Sequence, residues 1–248
     1  HVRSRRQRQM CIRDRNKNFS WFSDFSLSHN REKIKELASG QLKDEANAWF
    51  VGEPFKVFYD YKKEGIWQLG EEAAAAANGQ EPGDIKVQDV DGNGVITTDD
   101  RIIYSQRPDV TFGFNNTFNY KGFDLSVFLY ARLGQWIAYD YNTTYRINAL
   151  ENGGNVDYWT PENPTNAFPR PNKSKSYTQV TYYSTLKYED GSFFKIRDIT
   201  LGYTFKPELL KHLNLSRLRV YATAKNFFTF SKIDNYDPEQ GGLSLIHI

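Results

Sequence analysis

Two runs of strict alternation, Thr111–Tyr120 and Phe123–Ala131, are joined by nothing more than Lys121-Gly122. In the first run Phe112, Phe114, Phe118 and Tyr120 share one parity, against Thr111, Gly113, Asn115, Thr117 and Asn119. In the second, Phe123, Leu125, Val127, Leu129 and Ala131 alternate with Asp124 and Ser126. A period of two places each set on one face of a sheet, so the pair reads as an antiparallel hairpin with one apolar and one polar face. Each arm is about ten residues, the length a tilted strand needs to cross an outer membrane, and aromatic residues gather near the ends as they do at a membrane interface. The same alternation also serves a half-buried hairpin of a water-soluble sandwich. The hairpin alone leaves both open.

The remaining strands decide between them. Phe19–Asn30, Ala48–Tyr61, Ser192–Phe205 and Arg217–Phe230 all show strand-like alternation, with Pro54 interrupting the second. The links between strands run medium, long, very short, very long and short. Short turns alternating with long loops are what a transmembrane barrel shows, whereas a sandwich has no reason to sort its loops by length. Loops of about fifty residues also exceed what compact domains tolerate unless the loops have a function. The expected fold is therefore all-β: about six strands of an antiparallel transmembrane β-barrel with long extracellular loops at about 62–108 and 134–191. Lys121-Gly122 and Lys206–Ser216 then face the periplasm. A mean hydropathy of −0.68 is no objection, because one face of every strand would meet a polar lumen. Three residues fit poorly: Asn116 falls among lipid-facing phenylalanines, and Lys195 and Arg197 share parity with Ile199, which places them above the apolar band. A short helix is expected over Glu71–Ala77, closed by Asn78-Gly79.

The two ends read differently. Residues 1–15, with Arg5–Arg15 as RRQRQMCIRDR, look like an in-frame translation of a transposon-type sequencing adapter, and Leu243–Ile248 (LSLIHI) look like its opposite strand. Setting both aside takes the formal charge from +2 to −3 and removes the only Cys and the only Met. The composition case for nucleic acid goes with the basic arm, and so do thiol nucleophiles, thiolate metal sites and disulfides. Residues 16–242 are then expected to be an internal piece of a longer protein.

Between the helix and the hairpin lies DVDGNGVITTDD. Asp89, Asp91 and Asn93 take positions one, three and five of a twelve-residue calcium loop, with Gly94 at the turn. Val95 offers a backbone carbonyl, Thr97 sits at the ninth place and Asp100 at the twelfth. A hard cation such as Ca²⁺ needs several oxygens converging on one point, which this spacing supplies. Asp100 replaces the longer Glu and shortens the reach of the last ligand; an ion-free Asx- and Gly-rich turn is the alternative. Loop aromatics Trp136, Tyr139, Tyr141, Tyr145, Tyr158 and Trp159 are candidates for stacking on sugar rings or peptide side chains, or for packing the loops. No catalytic set stands out: His29 and His212 lie in separate connections without a nucleophile, and no convergent carboxylate pair at glycosidase spacing exists outside the cation loop.

PGDIKVQDVDGNGVITTDDR, PDVTFGFNNTFNYKGFDLSVFLYARLG, YWTPENP, EDGSFFKIRDITLGYTF and LRVYATAKNFFTFSKIDNYDPE, in that order, resemble the C-terminal barrel region of SusC/RagA-type TonB-dependent outer-membrane transporters. The resemblance covers essentially all of 16–242. It implies a barrel of roughly twenty-two strands around a plug domain, TonB-driven import of oligosaccharides or peptides, and a SusD-like lipoprotein over the outer face. Outer-membrane lipid would be a further contact, and no nucleic-acid partner or enzymatic activity is implied. The rival reading is a secreted sandwich module docking a partner through a dockerin-like calcium loop.

Overall fold

The computed structural model describes residues 6–15 as backbone, and 18–38, 40–139, 142, 155–174, 179–211, 214–233 and 237–240. Its main element is one antiparallel sheet of six strands: β1 (Arg6–Arg15), β2 (Phe19–His29), β3 (Val110–Tyr120), β4 (Phe123–Leu133), β5 (Phe193–Thr204) and β6 (Arg219–Ser231). Spatial order equals chain order, so the sheet is an up-and-down meander. Strands of 10 to 13 residues match a tilted barrel crossing. Among the described residues no second sheet faces this one, which removes the layer a sandwich requires.

The expected hairpin is present, with Tyr120 paired to Phe123. Lys121 and Gly122 both have positive φ, +47° and +93°, the backbone of a type I′ turn whose twist suits a two-residue hairpin. A Cβ at Gly122 would lie 2.8 Å from the Thr204 carbonyl oxygen, so the close approach of the neighbouring strand also demands glycine there.

Two corrections concern the wall. Ala48–Tyr61 contributes no strand to it: Trp49–Phe50 pairs with Lys43–Asp44, and Val57–Asp60 pairs with Ile102–Ser105. Gly52 at φ +96° and Pro54 divide the stretch, and its alternation serves two small hairpins. Phe50 and Tyr59 meet at 4.7 Å between ring centres. β2 therefore pairs directly with β3, and the first long connection runs from residue 30 to 109, wider than the expected 62–108. The sixth wall strand is instead β1, which falls on the segment read as adapter. An unpaired strand edge presents a row of N–H and C=O groups that any extended segment can satisfy, and β1 occupies that edge of β2 over ten residues.

The second correction concerns the faces. Phe128 and Leu129 are adjacent in β4, but their partners in β5 are Asp198 and Ile196, with Arg197 as an extra residue. β6 adds one more between Lys225 and Phe228, where Asn226 takes φ +49°. A bulge of this kind shifts which residues share a face. Ile196 and Phe194 stand beside Leu129 and Ala131 on the apolar face, while Lys195 turns to the polar face beside Tyr130. The expectation that Lys195 and Arg197 share the Ile199 face is overturned by that one added residue.

Asn116 does lie on the apolar face, opposite Val127 and Ser23, yet it is satisfied. The Trp21 indole donates to its Oδ1 at 3.1 Å, the buried Ser23 hydroxyl donates to the same oxygen, and Trp21 stacks on Phe118 at 5.9 Å. On the polar face near the tight turn, Arg219 makes a bidentate pair with Asp124, Nε to Oδ1 at 3.0 Å and Nη2 to Oδ2 at 2.5 Å. The pair crosses over Gly202, where a Cβ would lie 2.6 Å from the carboxylate and 2.7 Å from the guanidinium.

Both long connections leave the same end of the sheet and pack into one body. Its core joins Ile66, Ile85 and Val87 of the first to Trp159, Tyr183 and Leu186 of the second. The expected short helix is Glu72–Ala77, burying Ala75 and closing at Asn78-Gly79.

Candidate functional site

The cation loop starts just after the short strand Ile85–Val87 and ends in the single turn Thr98–Asp100. Asp89 accepts from the Gly92 N–H through Oδ1 and from the Gly94 N–H through Oδ2, both at 2.7 Å. Asp91 accepts from the Asn93 N–H at 3.0 Å, and Asn93 Oδ1 from the Val95 N–H at 2.8 Å. Asp100 is fully buried; its Oδ1 accepts from the Val90 N–H at 2.8 Å and its Oδ2 from the Thr97 N–H at 2.7 Å. The Thr97 hydroxyl accepts from the Asp99 N–H, completing a capping box with Asp100. The Thr97 N–H above all, followed by that of Val90, outweighs the opposing effect of burial and holds the Asp100 carboxyl below its ordinary range.

The carboxylate oxygens of Asp89, Asp91 and Asp100 lie within 4.8 Å of one another. An ion with oxygen bonds of about 2.3–2.6 Å spans that separation. Among the described residues no lysine or arginine forms an ion pair with any of the three. Three carboxylates that converge with backbone N–H donors but no cationic side chain against them are residues that could hold a hard cation. Val95 is exposed, as a residue contributing only backbone would be.

The aromatic candidates divide sharply. Trp159 is buried, and its indole donates to Gln68 Oε1 at 2.8 Å; the side chain is a core element of the loop body rather than a stacking surface. Tyr139 is buried beside Ile137 and Ile233. Trp136 is half-buried, with its ring 4.7 Å from that of Tyr104 in an edge contact. Tyr158 is 44% exposed, the most open of the described candidates. Tyr141 and Tyr145 lie outside the described residues.

Polar contacts fasten the two loops as firmly as the apolar core does. Arg170 reaches Glu81 at 2.6 Å and Asp84 at 3.3 Å, and its N–H donates to the Gly83 carbonyl at 2.8 Å. Gly83 has φ +90°, and a Cβ there would lie 2.6 Å from Trp159. Lys63 donates to the Ala167 carbonyl at 2.5 Å, and the Ile66 N–H donates to Asn166 Oδ1 at 3.0 Å. Burial pushes the Glu189 carboxyl up and the Lys63 ammonium down, as expected of charges drawn out of water between two loops.

Sequence reasoning missed one cluster altogether. Lys195 is fully buried and donates to both carboxylate oxygens of Asp237, at 2.9 and 2.8 Å, and to Glu239 at 2.9 Å. Arg197 reaches the same Glu239 at 3.1 Å. The chain beyond β6 thus folds back onto the polar face of β5. Only the acidic YDPE in the sequence hinted at a partner for those basic residues.

Similarity to known proteins accords with this architecture. The chain is 32% identical over 246 residues to TonB-dependent receptor P3 of Formosa agariphila, covering 90% of the chain and 24% of that receptor. It is 29% identical to TonB-dependent receptor SusC of Bacteroides thetaiotaomicron, over 90% of the chain and 22% of SusC. The fold of the RagAB peptide transporter superposes with a TM-score of 0.69 at 22% identity, over 95% of this chain and 26% of that one. The chain resembles a section of the SusC/RagA-type TonB-dependent receptors. No family model matches it. It spans about a quarter of the length of the curated relatives it matches. Its six-stranded sheet matches part of a larger barrel, that of the RagAB transporter.

Proposed function

We propose that this chain builds a section of the wall and the outer mouth of an importer in the outer membrane of a Gram-negative bacterium. The cargo is an oligosaccharide or a peptide, the energy comes through TonB, and a SusD-like lipoprotein covers the outer face. The observation that carries this reading is the joint body formed by the two long loops at one rim of the barrel wall. A rim body of that size has no use in a simple pore, but suits capture of a bulky solute before passage. The RagAB neighbours, described as a peptide transporter and importer, support the same direction. Deleting the complete gene in its host is expected to abolish growth on one bulky nutrient while sparing its monomers. Full-length protein should restore growth, and removal of TonB should mimic the deletion. Growth unchanged on every oligomeric source tested would sink the reading.

In this proposal Asp89, Asp91, Asn93, Val95, Thr97 and Asp100 hold Ca²⁺ as a structural clamp on the first loop. A ligand at about a hundredfold its Kd adds roughly 2.7 kcal/mol to the form that binds it. Chelation of calcium from the full-length receptor is therefore expected to raise amide exchange across 89–100 by about two orders of magnitude. Asp89→Asn should show the fast exchange with or without calcium. Equal exchange in calcium and in chelator would dispose of the clamp.

A further inference from the structure

The polar face of the wall carries a row of three polar side chains at its loop end. Ser28 of β2 pairs with Thr111 of β3, and Thr111 pairs with Arg132 of β4. Adjacent strands lie about 4.8 Å apart, so the row places two hydroxyls and a guanidinium in one line about 10 Å long. Arg132 is set in place by its neighbour. Its Nε donates to the Tyr130 hydroxyl at 2.7 Å, and its guanidinium carbon lies 5.6 Å from the Tyr130 ring centre. The Arg197 guanidinium also lies over that ring at 5.2 Å, although Arg197 is paired with Glu239. Arg132 is not: among the described residues no carboxylate lies within ion-pair distance of it.

Small residues lie beside it. Below Thr111 on the same face is Gly113, next to Ser26, with the Phe128 ring lying alongside. The side chains of β2 and β3 are therefore short where those of β4 are long. A stacked, half-buried guanidinium whose terminal N–H groups have no partner among the described residues, in line with two hydroxyls, is a receptor for a planar oxyanion. We infer that Arg132, with Thr111 and Ser28, forms a subsite for a carboxylate carried by the cargo. The inference rests on the importer reading and deepens it: the cargo is acidic.

The test uses the full-length receptor in detergent, with hexaglutamate and trigalacturonate as acidic probes and tetra-alanine and maltotriose as their neutral counterparts. At low salt one acidic probe is expected to bind at least tenfold tighter than its counterpart, with the advantage shrinking as salt rises. The probe that wins tells whether the carboxylate comes from a peptide or a uronic sugar. Arg132→Gln should erase the advantage and leave neutral-probe binding unchanged, Arg132→Lys should keep part of it, and Thr111→Val should reduce it. Should Arg132→Gln fail to fold, Thr111→Val and the salt dependence still carry the test. Acidic and neutral probes binding alike, or an advantage untouched by both variants, overturns the subsite. If deletion of the gene still abolishes uptake, that result leaves the importer standing.

Discussion

Replacing Lys195 with methionine in the full-length receptor is expected to release the segment that follows β6 and to cost about 3 kcal/mol. Lys195 is fully buried, and among the described residues it is the one cation paired with both Asp237 and Glu239. Breaking a buried charge pair by removing one partner costs about 3–5 kcal/mol, because the remaining charge stays behind without compensation. Here the carboxylates are 33% and 19% exposed and Glu239 keeps Arg197, which holds the effect to the lower end. Methionine retains much of the length, so the loss reports charge rather than a cavity. The expected signature is local: rapid amide exchange and protease cutting around 231–240, with the barrel still resistant to unfolding by detergent. Adding Asp237→Asn and Glu239→Gln to Lys195→Met should recover part of the loss, since the stranded charges go too. A single variant as protected as the wild type over 231–240 would show that the cluster does not fasten the segment.

Trp159→Ala should be of similar size and affect a different part of the molecule. The side chain is 4% exposed, lies against Ile66, Ile85 and Val87 of the other loop, and donates to Gln68. Truncating a buried tryptophan costs about 3–5 kcal/mol through lost burial and the cavity left behind, and Gln68 loses its donor. Both long loops are expected to gain protease sensitivity together, although only one carries the substitution. Cutting confined to 155–170 would mean that the loops are separate units. Tyr158→Ala, one residue away on the exposed side, should leave protease resistance unchanged.

That contrast shows where the sequence was readable. Tyr158 and Trp159 are neighbours in a loop without periodicity, so nothing local tells which of them faces the core. The hairpin Val110–Leu133 was legible because alternation and the Lys121-Gly122 turn are properties of contiguous residues, and the convergence of Asp89, Asp91 and Asp100 because their spacing is equally local. Ala48–Tyr61 misled because small hairpins inside a loop show the same period of two; Gly52 and Pro54 were the signal that the run could not cross a wall. The side on which Lys195 lies depends on one extra residue in β5 relative to β4, a relation between strands that no single strand displays. Asn116 looked misplaced for the same reason. Its partners, Trp21 and Ser23, lie more than ninety residues away in the chain.

The Asp124–Arg219 bridge over Gly202 also constrains how this wall can change over generations. A Cβ at position 202 would meet the ends of both charged side chains at once, so any larger residue there has to push the bridge aside. Loss of either charge frees the position, and once a bulkier residue has settled in, restoring the lost charge no longer restores the bridge. Substitutions at these three sites are therefore coupled. Lineages that still carry Asp124 and Arg219 should carry Gly202 with them, whereas lineages that have lost the pair should vary freely at that position.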